Sequence, residues 1–371
     1  MSEEHASKFL PVSSYPHAYG RPDATAVIRS QPEDFQVEEQ LGFQPEGEGE
    51  HHFLYLQKRN TNTEWLAKRL ARFCGVPPRD VSYAGLKDRN AVTSQWFSIR
   101  IPGTDTPDWS ELESDDLKLL QATRHRRKLR RGALAQNRFK IRLRNIRGRS
   151  HSEKPYQFGP TSDSNMTPTP YVNDIEKRLK MISAQGVPNY YGEQRFGHDQ
   201  NNLIFANQLF AGELKKLSRH KRGIYLSAAR SYLFNMVLAR RVADGTWHRA
   251  IPGDCMLLDG SHSHFSVAEI DDEIEQRIQE MDIHPTGPLW GKGKQSVSIY
   301  VAELEAAVMD QYPEWTQGLI KFGLSYERRA LRSRVIDLKW EWLAEDDLEL
   351  SFSLYPGSYA TALLREIFSV L

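Results

Sequence analysis

The spacing of apolar positions changes several times along the chain, and each change marks an element. DFQVEEQ (34–40) and HHFLYLQ (51–57) read as strands joined by the polar, glycine-rich QPEGEGE (44–50). NTNTEWLAKRLARFCG (60–75) takes a helical period: Asn62 or Thr63 can cap it, Leu66, Leu70 and Phe73 share a face, and Gly75 closes it. QWFSIRIPG (95–103) returns to alternation, with Phe97, Ile99 and Ile101 on one side. In NRFKIRLRN (137–145), Asn137, Phe139, Ile141 and Leu143 share one face, while Arg138, Lys140, Arg142 and Arg144 share the other. Four like charges on one side of a strand repel one another unless an anion or a neighbouring acidic element relieves them.

The stretch 148–170, rich in Ser, Pro and Thr, reads as a mobile loop. VNDIEKRLKMIS (172–183) resumes as a helix on Val172, Ile175, Leu179 and Ile182, and GVPNYYGEQRFGHDQNN (186–202) breaks the pattern again. Beyond it the chain is more helical. LSAARSYLFNMVLARRVADG (226–245) has Ser227 as its expected cap and Gly245 as its stop, and similar periodicity recurs around 268–281 and 300–311. KWEWL and LELSFSLY restore strand character before a short helix around ATALLREIF. No internal repeat is visible. Strand-rich ends around a helical middle predict one domain inserted within another, in an α/β (α+β) fold.

Composition adds a compartment and hides a charge. With 39% hydrophobic and 26% charged residues, the 371-residue chain is that of a globular protein of one elaborated domain or two. No apolar run approaches membrane length, and MSEEHASKFLPVSS lacks the bases and apolar stretch of a signal peptide. Cys74 and Cys255 fit no metal or redox spacing, so a cytoplasmic setting is expected. A net charge of +1 conceals an asymmetry: residues 1–50 hold ten Asp/Glu against three Lys/Arg, whereas 124–149 hold twelve Lys/Arg and no acid. Such a local basic surface suits a polyanion. Phe139, Tyr190, Tyr191 and Phe196 are available by type to stack unpaired bases, which RNA recognition uses more than duplex DNA recognition does.

Signatures of bound cofactors are missing. There is no G-x-G-x-x-G after a strand, GPLWGKGKQS (287–296) has the wrong spacing for a P-loop, and His51, His52, His262 and His264 read as strand and loop residues rather than ligands. The stretch that draws attention is SYAGLKDRNAVTSQWF (82–97), where Asp88 stands between Lys87 and Arg89 ahead of an aromatic strand. Spacing alone leaves two readings open: a turn residue that caps an amide or pairs with its neighbours, and a reactive carboxylate kept ionised.

YAGLKDRNAVTSQWF closely resembles the signature of the TruD family of tRNA pseudouridine synthases. IRSQPEDFQVEEQLGFQPEGEGEHHF (28–53) is similar to that family's N-terminal motif and GALAQNRFKIRLR (132–144) to its Asn-x-Phe motif. GVPNYYGEQRFG, SAARSYLFN (227–235) and PGSYATALLRE (356–366) look like further family blocks, in the family's order. The resemblance implies that Asp88 is the catalytic aspartate, Arg29 the basic residue beside it, and Phe139 the aromatic that contacts the target base, with Asn137 opening the same motif. Other pseudouridine synthases generally carry Tyr where this family has Phe, so a phenolic hydroxyl is not required there. Asn137 is expected to bind the substrate, Arg126, Arg127, Lys128, Arg130 and Arg131 to bind its phosphates, and Lys87 and Arg89 to bind it too, either adding to the field at Asp88 or reaching phosphates.

The implied fold is a pseudouridine-synthase catalytic domain with a mixed, largely antiparallel sheet (1–185 plus 335–371) and an inserted family-specific α/β domain (186–334), with tRNA in the cleft between them. The 148–170 loop is longer than the family pattern. The implied activity is the conversion of uridine to pseudouridine at position 13 of tRNA, with no cofactor, no metal and no protein partner, by a monomer. Because atoms and electrons balance in that isomerisation, the missing cofactor motifs are expected. A carboxylate must act ionised whether it attacks the sugar or the base or removes a proton; burial opposes this and a guanidinium favours it. Two rivals have different needs: a non-catalytic RNA-binding protein would need the basic face but not Asp88. A metal-dependent nuclease would need paired carboxylates, for which Glu33/Asp34 and Glu38/Glu39 are the candidates.

Overall fold

The computed structural model describes residues 9–101, 103, 106–148, 170–214 and 216–369. Apart from its ends, Gly148 and Pro170, the loop expected over 148–170 lies outside the described residues. The chain forms two compact units, one from within residues 23–171 and 335–357, the other from within 1–22, 172–334 and 358–369.

The first unit is built on a sheet of nine strands among the described residues. They are β1 (Ala24–Ile28), β2 (Phe35–Leu41), β3 (His51–Arg59), β4 (Val81–Tyr83), β5 (Val92–Arg100), β6 (Leu117–His125), β7 (Leu134–Gly148) and the hairpin strands Ile336–Ala344 and Asp347–Leu354. All pair antiparallel except β2 with β5. The long strand β7 is flanked by β2 and by Asp347–Leu354, and β1 joins its far end. Its alternation follows the pattern: Phe139, Ile141 and Leu143 are buried while Arg138 and Lys140 are exposed. At Asn145 (φ 51°) a bulge sets two residues against one on β1, so Ile146 rather than Asn145 turns inward.

The helix Thr63–Phe73 covers part of this sheet. Asn62, not Thr63, caps it, accepting from the amides of Glu64 (2.8 Å) and Trp65 (3.2 Å). Gly75, at φ 62°, takes the left-handed position that ends it, and Val76 N–H closes on Ala71 O. Leu66 and Leu70 are buried with Leu54, Leu56, Phe97 and Ile99 of the sheet.

In the second unit a long helix, Arg219–Ala243, runs through a core that includes Tyr190, Phe196, Tyr232, Phe234, Leu238 and Trp315. Helices Asn201–Phe210, Ile299–Met309 and Pro313–Lys321 and a four-stranded sheet belong to the same unit. Here two expectations are corrected. The helix begins at Ser218, whose hydroxyl accepts from Lys221 N–H; Ser227 lies two turns inside. Its first turns, RHKRGI, are exposed and contain Gly223, so apolar periodicity begins only at Tyr225. Tyr190, Tyr191 and Phe196 are buried in the core, which removes them as stacking surfaces for a base.

The units are bounded differently from the sequence-based division at 185/186. Helix Pro170–Gln185 falls almost wholly with the helical unit, as do the segments 9–22 and 358–369. Buried charge ties these segments together. The buried Arg178 donates to the carbonyls of Gly20 (2.9 Å) and Glu366 (3.1 Å), and Ala18 N–H donates to Glu366 Oε2 (2.8 Å). No shift in composition announces such contacts, because each is made between stretches distant in sequence.

Candidate active site

Register in the sheet assembles the site. Val37 of β2 lies opposite Phe139 of β7, and Glu39 opposite Asn137. On the other side of β7, Phe352 lies opposite Phe139 and stacks on it, with centroids 5.2 Å apart and rings 20° from parallel. Phe35 meets Phe139 edge-on at 6.2 Å, and the Arg29 guanidinium sits 4.1 Å over the Phe35 ring. Arg29 follows directly on β1 and holds φ 58°, a left-handed conformation that costs a non-glycine residue about 1 kcal/mol or more.

From that position Arg29 Nη2 donates to Asp88 Oδ2 at 2.9 Å, with the two side chains 24% and 35% exposed. Asp88 lies in the loop between β4 and β5, which the surrounding polar groups pin. Thr63 Oγ1 accepts from Lys87 N–H (3.2 Å) and donates to Gln95 Oε1 (3.0 Å), and Gln95 Nε2 donates to Gly85 O (2.6 Å). Among the described residues, nothing accepts from the buried Arg29 Nε.

Lys87 does not extend to solvent. Its ammonium, 9% exposed, contacts Glu39 Oε1 at 2.8 Å and donates to Asn137 Oδ1 at 2.7 Å. Glu39 is fully buried and also accepts from Trp96 N–H at 3.0 Å. Burial raises the Glu39 carboxyl above its ordinary value, with Lys87 working against that. Lys58, 1% exposed, donates to Thr61 O at 2.6 Å, and burial lowers its ammonium to about 8; Lys87 pushes the same way while Asp88 and Glu39 oppose it. The centre is thus a set of alternating charges: Arg29 and Asp88 half-open, Lys87, Glu39 and Lys58 enclosed.

The sequence reading missed Lys58 and Glu39 as members of this set. A signal was present. Glu39 is in phase with Phe35 and Val37, and Lys58 with Leu54 and Leu56, so both charges occupy core positions of alternating strands.

The charged face of β7 is relieved by acids rather than left bare. Arg144 makes a bidentate contact with Asp34 (Nε to Oδ2 3.0 Å, Nη2 to Oδ1 2.8 Å), Arg142 pairs with Asp347 at 2.5 Å, and Lys140 with Glu349 at 3.0 Å. Burial works against the Asp34 charge, yet Arg144 and the Gln31 amide hold its carboxyl below the usual value. Arg138, the fourth base, lines a cavity of about 310 Å³ with Asp337 and Lys339. The carboxylates of the two sequence pairs go separate ways: Glu33 to Arg59, Asp34 to Arg144, Glu39 to Lys87.

Arg126, Arg127, Lys128, Arg130 and Arg131 are exposed in the loop between β6 and β7. Arg126 pairs there with Glu48 and lies 3.6 Å from Glu46. Gly49 makes that approach possible, since a Cβ on it would stand 2.6 Å from the Arg126 backbone. Arg89 is exposed beside Asp88.

An enclosed charge cluster thus adjoins a carboxylate–guanidinium pair that solvent reaches. The sequence matches the family described as tRNA pseudouridine synthase D (TruD) over residues 15–213 and 200–367. A tRNA pseudouridine synthase D from Methylococcus capsulatus is 46% identical over 352 residues, 95% of this chain and 93% of the relative. Another, from Hydrogenovibrio crunogenus, is 42% identical over 361 residues, 97% of this chain and 98% of the relative. The fold is shared with a solved structure titled as a tRNA pseudouridine synthase D from Methanosarcina mazei, at a TM-score of 0.71 and 22% identity over 95% of this chain and 96% of that one. Matches of this extent and identity mean that the chain belongs to the TruD family of tRNA pseudouridine synthases.

Proposed function

We propose that this protein converts uridine to pseudouridine in transfer RNA, at position 13, with Asp88 as the reactive carboxylate. The observation that carries the reading is the 2.9 Å pair of Arg29 and Asp88, half-open on a pinned loop, in a chain of this family. The reaction breaks N1–C1′, turns the uracil and joins C5 to C1′; the C5 proton leaves to solvent and N1 takes one up. No atoms or electrons are gained. The target nucleotide must leave its stack, at a cost of a few kcal/mol, before a protein group can reach C1′ or C6.

Asp88 acts as nucleophile or base, and Arg29 supplies its counter-charge. Phe139, 8% exposed and with its ring held by Phe35 and Phe352, borders the target base rather than offering it a stacking face. Asn137 contributes by holding the Lys87 ammonium. Arg89 and the exposed loop 126–131 meet phosphates, a sequence-independent and salt-sensitive attraction. In the proposed division of the chain, the unit built on the nine-stranded sheet is the catalytic one. The enzyme works as a monomer in the cytoplasm.

The test is tritium release from tRNA labelled at uridine C5, with Asp88→Ala in parallel and with a tRNA carrying cytidine at position 13. Release by the native protein alone, lost with the cytidine tRNA, supports every part of the reading. Full release by Asp88→Ala would sink the assignment, and release from the cytidine tRNA would move the target elsewhere.

A further inference from the structure

A groove in the sheet-built unit is not accounted for by the pair at Asp88. It has a volume of about 650 Å³, inside the range of roughly 300–1,000 Å³ typical of small-ligand sites. One wall is the helix Thr63–Phe73, through Glu64 and Lys68; the other is the segment Lys128–Arg131. The floor is apolar, made by Val81 and Leu129, with Tyr83 partly exposed beside them. Four cations, Lys68, Lys128, Arg130 and Arg131, face a single acid, Glu64.

The walls are fixed rather than draped. Ser82 Oγ donates to Leu129 O (2.8 Å), Leu129 N–H donates to Ser98 Oγ (3.0 Å), and Lys128 Nζ donates to Arg79 O (2.5 Å). Tyr83 leans edge-on against Phe97 at 6.0 Å, and the Arg131 guanidinium stands 6.0 Å from the Tyr83 ring centroid. A solvated basic rim needs neither an apolar floor nor an anchored ring. A cationic rim over an aromatic ring is the combination that takes an unpaired nucleotide, with base on ring and phosphate on cations.

We propose that this groove binds one nucleotide of the substrate RNA other than the target uridine. Its base lies on Tyr83, and its phosphates meet Lys68, Lys128, Arg130 and Arg131. The proposal rests on the reading of the protein as a tRNA-modifying enzyme and adds a second anchoring point to it. β4 ends at Tyr83 and leads straight into the loop that carries Asp88, and Gly132 N–H donates to Ala84 O at 2.9 Å. Five residues of chain span at most about 18 Å, so the bound nucleotide lies close in space to the target. Anchoring it beside the reactive loop helps hold the target out of its stack.

The experiment places 4-thiouridine at single positions around the target in otherwise native tRNA, irradiates the complex with the full-length protein, and maps the crosslinked peptides by mass spectrometry. Crosslinks from one position near the target to Tyr83 or to residues 128–131 are expected. In parallel, Tyr83→Ala should weaken tRNA binding by about 5- to 150-fold, the loss of one stacked base. Tyr83→Phe, which keeps the ring and its contact with Phe97, should restore it and controls for folding. Lys68→Ala should flatten the slope of log Kd against log salt by about 0.7. The proposal is overturned if no position crosslinks to the groove, if both Tyr83→Ala and Lys68→Ala bind with native affinity and salt slope, or if uridine monophosphate fills the groove while tRNA does not. Tritium release by the native protein separates the two readings: release without groove crosslinks removes the groove alone, and groove crosslinks without release remove the enzyme alone.

Discussion

The sheet-built unit and the helical unit each contain a carboxylate paired with a guanidinium, and they use the pair differently. In the helical unit Arg241 grips Asp254 with two bonds of 2.9 Å and spends its other donors on the carbonyls of Thr246 and Arg249, both side chains being 1% exposed or less. Arg328 holds both oxygens of the buried Glu305 at 2.8 Å and also reaches Thr286 and Tyr326. Desolvation is costly there, and the surrounding bonds offset it. Between Arg29 and Asp88 there is a bond of 2.9 Å, and solvent reaches a quarter to a third of each side chain. A sealed pair holds structure together. A half-open one, on a loop and next to a strained backbone, is within reach of a substrate.

That contrast can be broken by removing one member of each pair. Asp88→Ala should abolish tritium release, a fall of more than about a thousandfold, worth over 4 kcal/mol of barrier, while tRNA binding and urea stability stay near native. Arg241→Met leaves Asp254 buried without its partner and should cost about 3–5 kcal/mol of stability in urea denaturation. Equal stability losses in the two variants would erase the distinction.

A third measurement sharpens it within the site itself. Burial holds the Lys58 ammonium at about 8, below its unfolded value near 10.4. The unfolded chain therefore binds that proton more tightly, and the stability associated with Lys58 is full only above the unfolded value and is lost as pH falls through about 8. Lys58→Met should then be more stable than the native protein at pH 7, by about 2–3 kcal/mol, with the gain vanishing near pH 10.5. A pH-independent difference between the two unfolding curves would show that Lys58 stays as readily ionised in the fold as outside it. The smallest effect is expected from Arg29→Lys, which keeps the charge and loses the flat guanidinium over Phe35. A roughly tenfold drop in kcat/KM, equivalent to about 1.4 kcal/mol, is the expectation; a loss as large as that of Asp88→Ala would mean that charge alone is not Arg29's contribution.

Periodicity and the family's motifs together pointed to the candidate site. The period of two in β7 put Asn137 and Phe139 on the inward side, and the motif around Asp88 singled out the carboxylate. The same reading misjudged surroundings. It offered Phe139, Tyr190, Tyr191 and Phe196 as stacking surfaces because an aromatic ring looks the same in a sequence whether it lies in a core or on a face; the structure buries all four. It left Lys87 open between adding to the field at Asp88 and reaching phosphates, and Glu39 and Asn137 draw its ammonium inward. It left the relief of the β7 charges open between an anion and an acidic neighbour, and for Lys140, Arg142 and Arg144 the neighbour is acidic.

By itself, the sequence determined which residues alternate, that a helix starts after Asn62 or Thr63 and stops at Gly75, and which family's motifs the chain carries. These are local matters, set by backbone sterics and side-chain spacing over a few residues. Only the tertiary structure decided which charges are sealed and which stay open. Arg144 finds Asp34 across 110 positions and Arg142 finds Asp347 across 205. Electrostatic energy depends on separation in space and on the dielectric around the pair, and neither quantity exists until strands distant in sequence lie side by side.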